Sequence, residues 1–302
     1  MHRYVSRRDF VVGGLAGASV LGLVGKGIAP AQEQDKPAGS GGGKLRKAIQ
    51  YGMVQGAKTP LDHLKVAQEC GWDGVECNAS QDQKWIDELR EAVEKSGVPV
   101  HSVVCGTHWG YPLSDPNPEK VKRGMDGMKS ALRNARDLKA DTVLLVPAVV
   151  NADVRYKDAY ERSQQRIREL IPVAEECGVT IAVENVWNKF LLSPLEFARY
   201  LDELNSKFVR AYFDVGNVVI YGFPQDWIRT LGGRIAKIHL KDFKRDGYQW
   251  KPIREGDVQW PEVRKALAEV GYTGWLTTEV AGGDEAYLRD LAARVDKIIA
   301  GV

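Results

Sequence analysis

The feature that most constrains the fold of this chain is a regular alternation of short apolar runs with longer amphipathic runs. Eight apolar runs have the length and composition of β-strands, and they lie at 48–53, 73–77, 99–105, 141–147, 179–185, 208–214, 235–240 and 274–279. The run Thr142–Val146 is apolar on both faces, which is typical of parallel strands that helices cover. The pattern therefore predicts an α/β protein with a parallel sheet.

The segments between these runs carry helical periodicity and helix boundary signals. One face of a predicted helix is formed by Val121, Met125, Met128, Leu132 and Ala135. Ser193 is a predicted N-cap before Pro-Leu-Glu, and Glu196 completes a capping box. Gly178 and Gly271 are placed to end helices, and a final helix is expected over 284–300.

Eight strands, seven intervening helical segments and a final helix match the count of a single (β/α)8 TIM barrel. An open, doubly wound sheet is the alternative, but no G-x-G-x-x-G sequence follows the first strand. We therefore expect one catalytic barrel domain over 45–302.

The first 31 residues have the features of a Tat-type signal peptide. Arg7 and Arg8 precede Phe10, an apolar run spans 11–24, and Ala-Pro-Ala ends at Ala31. Because this run is shorter than the roughly 20 residues of a membrane span, we expect export to the periplasm with the Tat machinery as a partner. A membrane-tethered form with an uncleaved signal is the alternative. Residues 32–44 are polar and glycine-rich, which predicts a flexible linker.

Charge and cysteine content argue against two classes of protein. The chain has 42 Lys and Arg against 40 Asp and Glu, scattered without a basic stripe, so no nucleic-acid partner is expected. The cysteines, at 70, 77, 105 and 177, form no C-x-x-C pair, so neither a disulfide framework nor a zinc ribbon is expected. The oligomeric state stays open, with a homo-oligomer among the alternatives.

Ionisable residues stand at the carboxyl ends of the last four predicted strands: Glu184, Asp214, His239 and Glu279. In a barrel these ends meet at one rim, where three carboxylates would repel one another unless a cation lay among them. Oxygen-rich ligands with one nitrogen predict a single divalent ion. Mn²⁺ is the first choice, and Mg²⁺, Co²⁺, Fe²⁺ and Zn²⁺ are alternatives.

The sequences IAVEN, YFDVGN, IHLKD and LTTEV resemble the sugar (phosphate) isomerase/epimerase family with the xylose isomerase-like barrel, over essentially all of 46–300. That family includes ketose 3-epimerases, hydroxypyruvate isomerase-like proteins and, more distantly, AP endonucleases of family 2. The resemblance implies that Glu184, Asp214, His239 and Glu279 hold one divalent metal. It also implies that Glu184 and Glu279 face each other across a bound sugar as the catalytic pair.

The chemistry that this resemblance implies is proton transfer next to a carbonyl. The metal polarises the C=O group, one carboxylate removes the adjacent proton to give an enediolate, and the other returns it. The result is epimerisation or isomerisation. Because no phosphate-binding glycine loop is evident and the chain carries an export signal, we expect a non-phosphorylated ketose or a related sugar as substrate.

Further rim residues are candidates for substrate contact: Glu76, His108, Trp109, Trp187, Asn217, Lys241 and Arg245. Glu76 is placed to bind a hydroxyl or to orient a ligand, and Lys241 to bind substrate or to pair with a carboxylate. Arg245 matches a substrate-contacting arginine of the family. Asn217 stands where the 3-epimerases commonly have a histidine, so 3-epimerase specificity does not transfer simply.

Three other functions are weighed against the epimerase. A lyase would use the same metal and base on a 3-keto-glycoside and expel a β-leaving group. An AP endonuclease-like enzyme would need more histidines than the five in this chain. A non-catalytic sugar-binding barrel would bind sugar tightly without exchanging a proton with solvent.

Overall fold

The computed structural model describes residues 44–302, and this part of the chain contains ten strands. They are β1 (Arg46–Gln50), β2 (Gly74–Asn78), β3 (Val100–Val104), β4 (Thr142–Leu145), β5 (Thr180–Glu184), β6 (Val209–Asp214), β7 (Ile235–Leu240), β8 (Asp242–Lys244), β9 (Gln249–Lys251) and β10 (Trp275–Thr278). The predicted signal peptide over 1–31, and the predicted linker up to residue 43, lie outside the described residues.

Eight α-helices lie in the described part of the chain, and they alternate with the strands except that β7, β8 and β9 follow one another directly. They are α1 (Pro60–Glu69), α2 (Gln83–Ser96), α3 (Pro118–Asp137), α4 (Tyr156–Cys177), α5 (Pro194–Leu204), α6 (Pro224–Leu231), α7 (Trp260–Glu269) and α8 (Glu285–Ala300). None of the helices within residues 44–302 combines the length and the apolar character that a membrane span requires.

Eight of the strands close into a barrel, which confirms the predicted (β/α)8 TIM barrel. The order around the barrel is β1-β10-β7-β6-β5-β4-β3-β2. Every neighbouring pair is parallel. The carboxyl ends of all eight strands therefore lie at the same rim.

Five of the eight α-helices in the described residues begin at a side-chain cap. Thr59 and Asp62 form a complete capping box at the start of α1. At α5, Ser193 accepts a hydrogen bond from the backbone N–H of Glu196, as predicted. The Glu196 carboxylate instead accepts from the backbone N–H of Leu192, so the predicted capping box forms only in part. The predicted apolar face of α3 is buried along its whole length.

Two local differences from the predicted elements affect the rim. The first strand ends at Gln50 rather than at residue 53, because Gln50 is the last β1 residue that pairs with β2, and Tyr51–Met53 form a 3₁₀ turn. The segment after β7, where no strand is predicted, contains an antiparallel hairpin of β8 and β9, in which Phe243 pairs with Trp250.

Apolar side chains fill the space between the barrel and its helices, and Cys70, Cys77 and Cys105 lie in this core as free thiols. The barrel interior also holds polar contacts. Tyr212 on β6 donates a hydrogen bond over 2.6 Å to Glu76 on β2, although these strands are not neighbours. This contact therefore crosses the inside of the barrel.

Candidate metal site

The structure brings the four predicted ligands together at the C-terminal rim. Glu184 and Asp214 are the last residues of β5 and β6, His239 lies one residue before the end of β7, and Glu279 follows β10 directly. Each offers one ligand atom, and these atoms all lie within 4.8 Å of one another. Ligand atoms on opposite sides of one divalent ion lie roughly 4 to 5 Å apart, so the group has the size of a single coordination site.

His239 lies at the centre of this group. Its Nδ1 atom is 2.9 Å from Glu184 Oε1 and 2.9 Å from Glu279 Oε2, and its Nε2 atom is 2.9 Å from Glu76 Oε2. Burial disfavours the charged imidazolium, but the carboxylates of Glu76 and Glu279 outweigh it and hold the pKa of His239 well above its usual value. Positive charge is therefore strongly favoured at this position.

The pKa values of the two predicted catalytic carboxylates, Glu184 and Glu279, shift in opposite directions. Burial and the neighbouring Glu279 raise the pKa of Glu184 to about 7. Burial acts in the same direction on Glu279, but His239 and Lys241 hold its pKa well below the usual range. Because these carboxylates lie close together, ionising all of them at once is costly. A cation bound among them would stabilise their ionised form.

Lys241 pairs with two of the candidate ligands. Its Nζ atom lies 2.6 Å from Glu279 Oε2 and 3.2 Å from Asp214 Oδ2. The sequence left open whether Lys241 binds substrate or pairs with a carboxylate. In the structure it pairs with two carboxylates at the edge of the cavity. The position of Lys241 requires a glycine at Gly216, because a Cβ atom there would lie 2.5 Å from the Cβ atom of Lys241.

The donor set fits a divalent cation. Asp214 Oδ2 and Glu279 Oε2 are buried and make no hydrogen bond of good geometry, although both lie within ion-pair distance of Lys241 and Glu279 Oε2 also lies 2.9 Å from His239 Nδ1. Three carboxylates and one imidazole are the ligands that Mn²⁺ and similar hard or borderline ions prefer.

Glu76 lies behind His239 and is only 1% exposed. Its Oε1 atom accepts hydrogen bonds from Ser102 over 2.9 Å and from Tyr212 over 2.6 Å. It is not among the residues that line the cavity above the site. Of its two predicted roles, the structure therefore places it where it orients a ligand, through the Nε2 atom of His239.

Asn217 and Asn185 fix the end of β6. The backbone N–H of Asn217 donates to Asp214 Oδ1 over 2.7 Å, and its side-chain amide donates to the Asn185 carbonyl over 2.9 Å. Asn185 in turn exchanges two hydrogen bonds with the backbone of Asp214. Sequence reasoning missed Asn185, although its position next to Glu184 was a usable signal.

A cavity of about 380 Å³ opens above the four ligands. Its lining includes five of the predicted substrate-contact residues, which are His108, Trp109, Trp187, Asn217 and Lys241. It also includes Gln50 and Asn78, which the prediction missed. Both stand at the ends of strands, the same signal that identified the metal ligands.

Arg245 does not line this cavity. Its guanidinium donates to the Gly222 carbonyl over 2.9 Å and lies 5.1 Å from the centre of the Phe223 ring. In the structure it connects two rim loops rather than facing the four ligands.

His108 faces the cavity as a neutral side chain. Burial lowers the pKa of His108 to about 4, against a weaker opposing effect of Glu279. Its Nδ1 atom accepts a hydrogen bond from the backbone N–H of Val146 over 3.3 Å. The proton therefore resides on Nε2, which leaves His108 a hydrogen-bond donor.

The chain is similar in sequence and fold to known sugar epimerases. The L-ribulose-5-phosphate 3-epimerase UlaE of Escherichia coli O157:H7 is 26% identical over 249 residues, which cover 76% of this chain and 86% of UlaE. Similar solved structures include a D-tagatose 3-epimerase-like protein, with a TM-score of 0.73 and 18% identity over 84% of this chain and 97% of that one. The 3-keto-D-glucoside 4-epimerase YcjR of E. coli has a TM-score of 0.72 and 17% identity over 84% of this chain and 99% of its own.

A family described as the xylose isomerase-like TIM barrel matches residues 64–298. The match covers seven of the eight barrel strands and all four candidate ligands. The chain belongs to the xylose isomerase-like TIM barrel family.

Proposed function

We propose that this protein is a metal-dependent sugar epimerase or isomerase that moves a proton next to a carbonyl group. The observation that carries the proposal is the placement of Glu184 and Glu279 at one cavity, with Asp214 and His239 completing a group whose ligand atoms lie within 4.8 Å of one another. A relative named as a sugar 3-epimerase supports the same class of reaction.

The residues have distinct roles in this proposal. Glu184, Asp214, His239 and Glu279 hold a divalent ion, Mn²⁺ in first place, which supplies Lewis-acid polarisation of the sugar carbonyl. Glu184 and Glu279 exchange the proton on the adjacent carbon, one removing it and the other returning it. The Nε2–H group of His108 donates a hydrogen bond to a sugar oxygen.

The substrate in this proposal is a non-phosphorylated ketose or a related sugar. The relative UlaE is named for a phosphorylated sugar. Among the described residues that line the cavity of this chain, however, Lys241 is the only lysine or arginine, and it already pairs with Asp214 and Glu279. A phosphate would therefore lie near carboxylates without a free lysine or arginine to bind it.

The test is solvent exchange. The Mn²⁺-loaded protein, incubated with ketohexoses in D₂O, should incorporate deuterium at a carbon next to the carbonyl. The substitution Glu184→Gln or Glu279→Gln should lower this rate by at least about 100-fold and preserve the fold, because each removes a group that transfers the proton. Cys105→Ala, in the buried core, is the control and should leave the rate nearly unchanged. Full exchange by Glu279→Gln would refute the proposal.

The same assay addresses the lyase alternative. A 3-keto-glycoside offered to the protein should exchange deuterium if the enzyme is an epimerase. Release of the aglycone without exchange would identify β-elimination instead, since both reactions begin with the same proton abstraction.

We further propose export to the periplasm through the Tat pathway, on the basis of Arg7-Arg8 and the sequence that ends at Ala31. The double substitution Arg7→Lys, Arg8→Lys should retain the full-length chain in the cytoplasm. Amino-terminal sequencing of the exported protein should begin at Gln32, whereas an intact signal would indicate the membrane-tethered form.

A further inference from the structure

An aromatic wall borders the cavity on the side of the β8–β9 hairpin. It is formed by Trp187, Phe243, Tyr248 and Trp250. The rings of Trp187 and Trp250 stack with their centres 4.8 Å apart. Phe243 packs edge-on against both, at 5.3 and 5.1 Å, and Tyr248 lies 5.5 Å from Trp187. The four rings therefore form one packed unit.

Hydrogen bonds hold this wall in place. The buried Asp242 carboxylate accepts from the backbone N–H groups of Phe243, Arg254 and Val258 and from the indole of Trp260. On the other side of the wall, the indole of Trp187 donates to the Asn217 carbonyl over 2.8 Å. The aromatic surface is thus preformed, so a ligand that binds to it has little ordering cost to overcome.

The wall presents apolar surface directly beside the candidate metal site. Trp187 and Trp250 line the same cavity as the ligands, yet they are 36% and 47% exposed. Lys241 Nζ lies 2.6 Å from Glu279 Oε2 and 5.7 Å from the centre of the Trp250 ring, so the wall begins close to the reacting position. Covering apolar surface stabilises a complex, and indole rings stack well on flat, weakly polar faces.

The charges around the wall favour an uncharged occupant. Glu184 and Glu279 contribute negative charge to the cavity, and among its described lining residues only Lys241 is a lysine or arginine. Its ammonium group is engaged by Asp214 and Glu279. An anionic substituent would lose water here without gaining a free lysine or arginine as a partner, whereas a neutral ring would gain apolar contact.

We propose that the aromatic wall is a subsite for a second, uncharged ring joined to the reacting sugar. This inference rests on the proposed function for the identity of the reacting sugar. The second ring is another sugar or an aromatic aglycone, since both offer the flat face that Trp250 would cover. The preferred substrates are therefore glycosylated ketoses or keto-glycosides, which should bind more tightly than a free ketose or a sugar phosphate.

Binding measured by calorimetry on the Mn²⁺-loaded protein tests the subsite. The probes are fructose, fructose 6-phosphate, isomaltulose, in which glucose is attached to O6 of fructose, and the 3-keto derivative of 4-nitrophenyl glucoside. At least one of the two ring-bearing probes should bind about tenfold more tightly than fructose, and fructose 6-phosphate should gain nothing. Isomaltulose tests a second sugar, and the nitrophenyl compound tests an aromatic aglycone.

Substitutions at Trp250 test whether the aromatic wall causes the gain in affinity for the ring-bearing probes. Trp250→Ala should abolish the preference for the ring-bearing probe and change fructose binding less than about twofold. Trp250→Phe should retain most of that preference. Leu195→Ala is the matched control, because Leu195 is an exposed apolar residue that does not line the cavity. Equal affinity for fructose and both ring-bearing probes, or an equal loss for every probe in Trp250→Ala, would overturn the subsite.

The two proposals fail in different ways. Tighter binding of a ring-bearing probe without deuterium exchange would refute the proposed reaction and support the subsite. Deuterium exchange with fructose, without any gain from a second ring, would support the reaction and refute the subsite.

Discussion

Glu76 Oε2 lies 2.9 Å from His239 Nε2, and the two side chains reach this contact from β2 and β7 through the interior of the barrel. Both are almost completely buried. The contact fixes the imidazole ring so that its other nitrogen, Nδ1, faces Glu184 and Glu279. A carboxylate that accepts a hydrogen bond from a metal-binding histidine sets its tautomer and its orientation.

The substitution Glu76→Gln should therefore weaken metal binding. A glutamine amide cannot hold the Nε2 proton as a carboxylate does, and we expect the affinity for Mn²⁺ to fall by about 10- to 100-fold. Calorimetric titration of the metal measures this, with circular dichroism to verify folding. Ser102→Ala, which removes one hydrogen bond to the other oxygen of Glu76, is the control and should cost less than about tenfold. Unchanged Mn²⁺ affinity in Glu76→Gln would contradict the assigned role.

Lys241 and a bound cation should stabilise the same carboxylates. Lys241→Met leaves Asp214 and Glu279 without their ammonium partner, so the chelator-treated variant should melt about 5 °C or more below the chelator-treated wild type. Mn²⁺ replaces the missing charge, and the rise in melting temperature on adding it should be larger for the variant. Lys122→Met removes an exposed ion pair with Asp126 and should change neither value. Identical metal-induced shifts in Lys241→Met and wild type would argue against this coupling.

His108 should contribute to the pH dependence of stability. Its pKa is lowered by burial from an ordinary value near 6.5 to about 4. Between these two values the unfolded chain binds more protons than the folded one, so the free energy of unfolding decreases as the pH falls through this window. The contribution reaches about 3 kcal/mol at its lower end.

Urea unfolding of chelator-treated wild type and His108→Gln at pH 7, 5.5 and 4 measures this contribution. The stability of the wild type relative to the variant should fall by up to about 3 kcal/mol as the pH drops, because only the wild type carries this imidazole. His101, whose pKa burial also lowers, is present in both proteins and cancels in the difference. A difference that is constant with pH would exclude the buried neutral state of His108.

Gly216 should be required for the packing of the β7 end. A Cβ atom there would lie 2.5 Å from Lys241 Cβ and 2.9 Å from the Lys241 carbonyl, so Gly216→Ala should destabilise the protein by about 1–3 kcal/mol. Since Lys241 would shift with the backbone, Mn²⁺ affinity should fall as well. Gly233→Ala is the matched control, because a Cβ atom at that position would meet no neighbouring group within 4 Å. Equal unfolding midpoints for the two variants would show that the rim can absorb the extra atom.

The barrel and the four candidate ligands could be predicted because their signals are local. Strands covered on both faces are continuous apolar runs, and a helix face repeats with its own period, as Val121 and Met128 show. Glu184, Asp214, His239 and Glu279 stand at the ends of consecutive barrel strands, and barrel topology alone brings such positions to one rim.

The sequence by itself determined the number of barrel strands, their covering helices and the set of ionisable groups at the rim. Only the tertiary structure decided that Glu76 supports His239, that Lys241 pairs with two ligands, and that Trp187 and Trp250 build one wall. These relationships join residues far apart in the chain. The orientation of these side chains depends on the closure of the barrel and on the fold of the β8–β9 hairpin. The periodicity of the sequence carries no information on either.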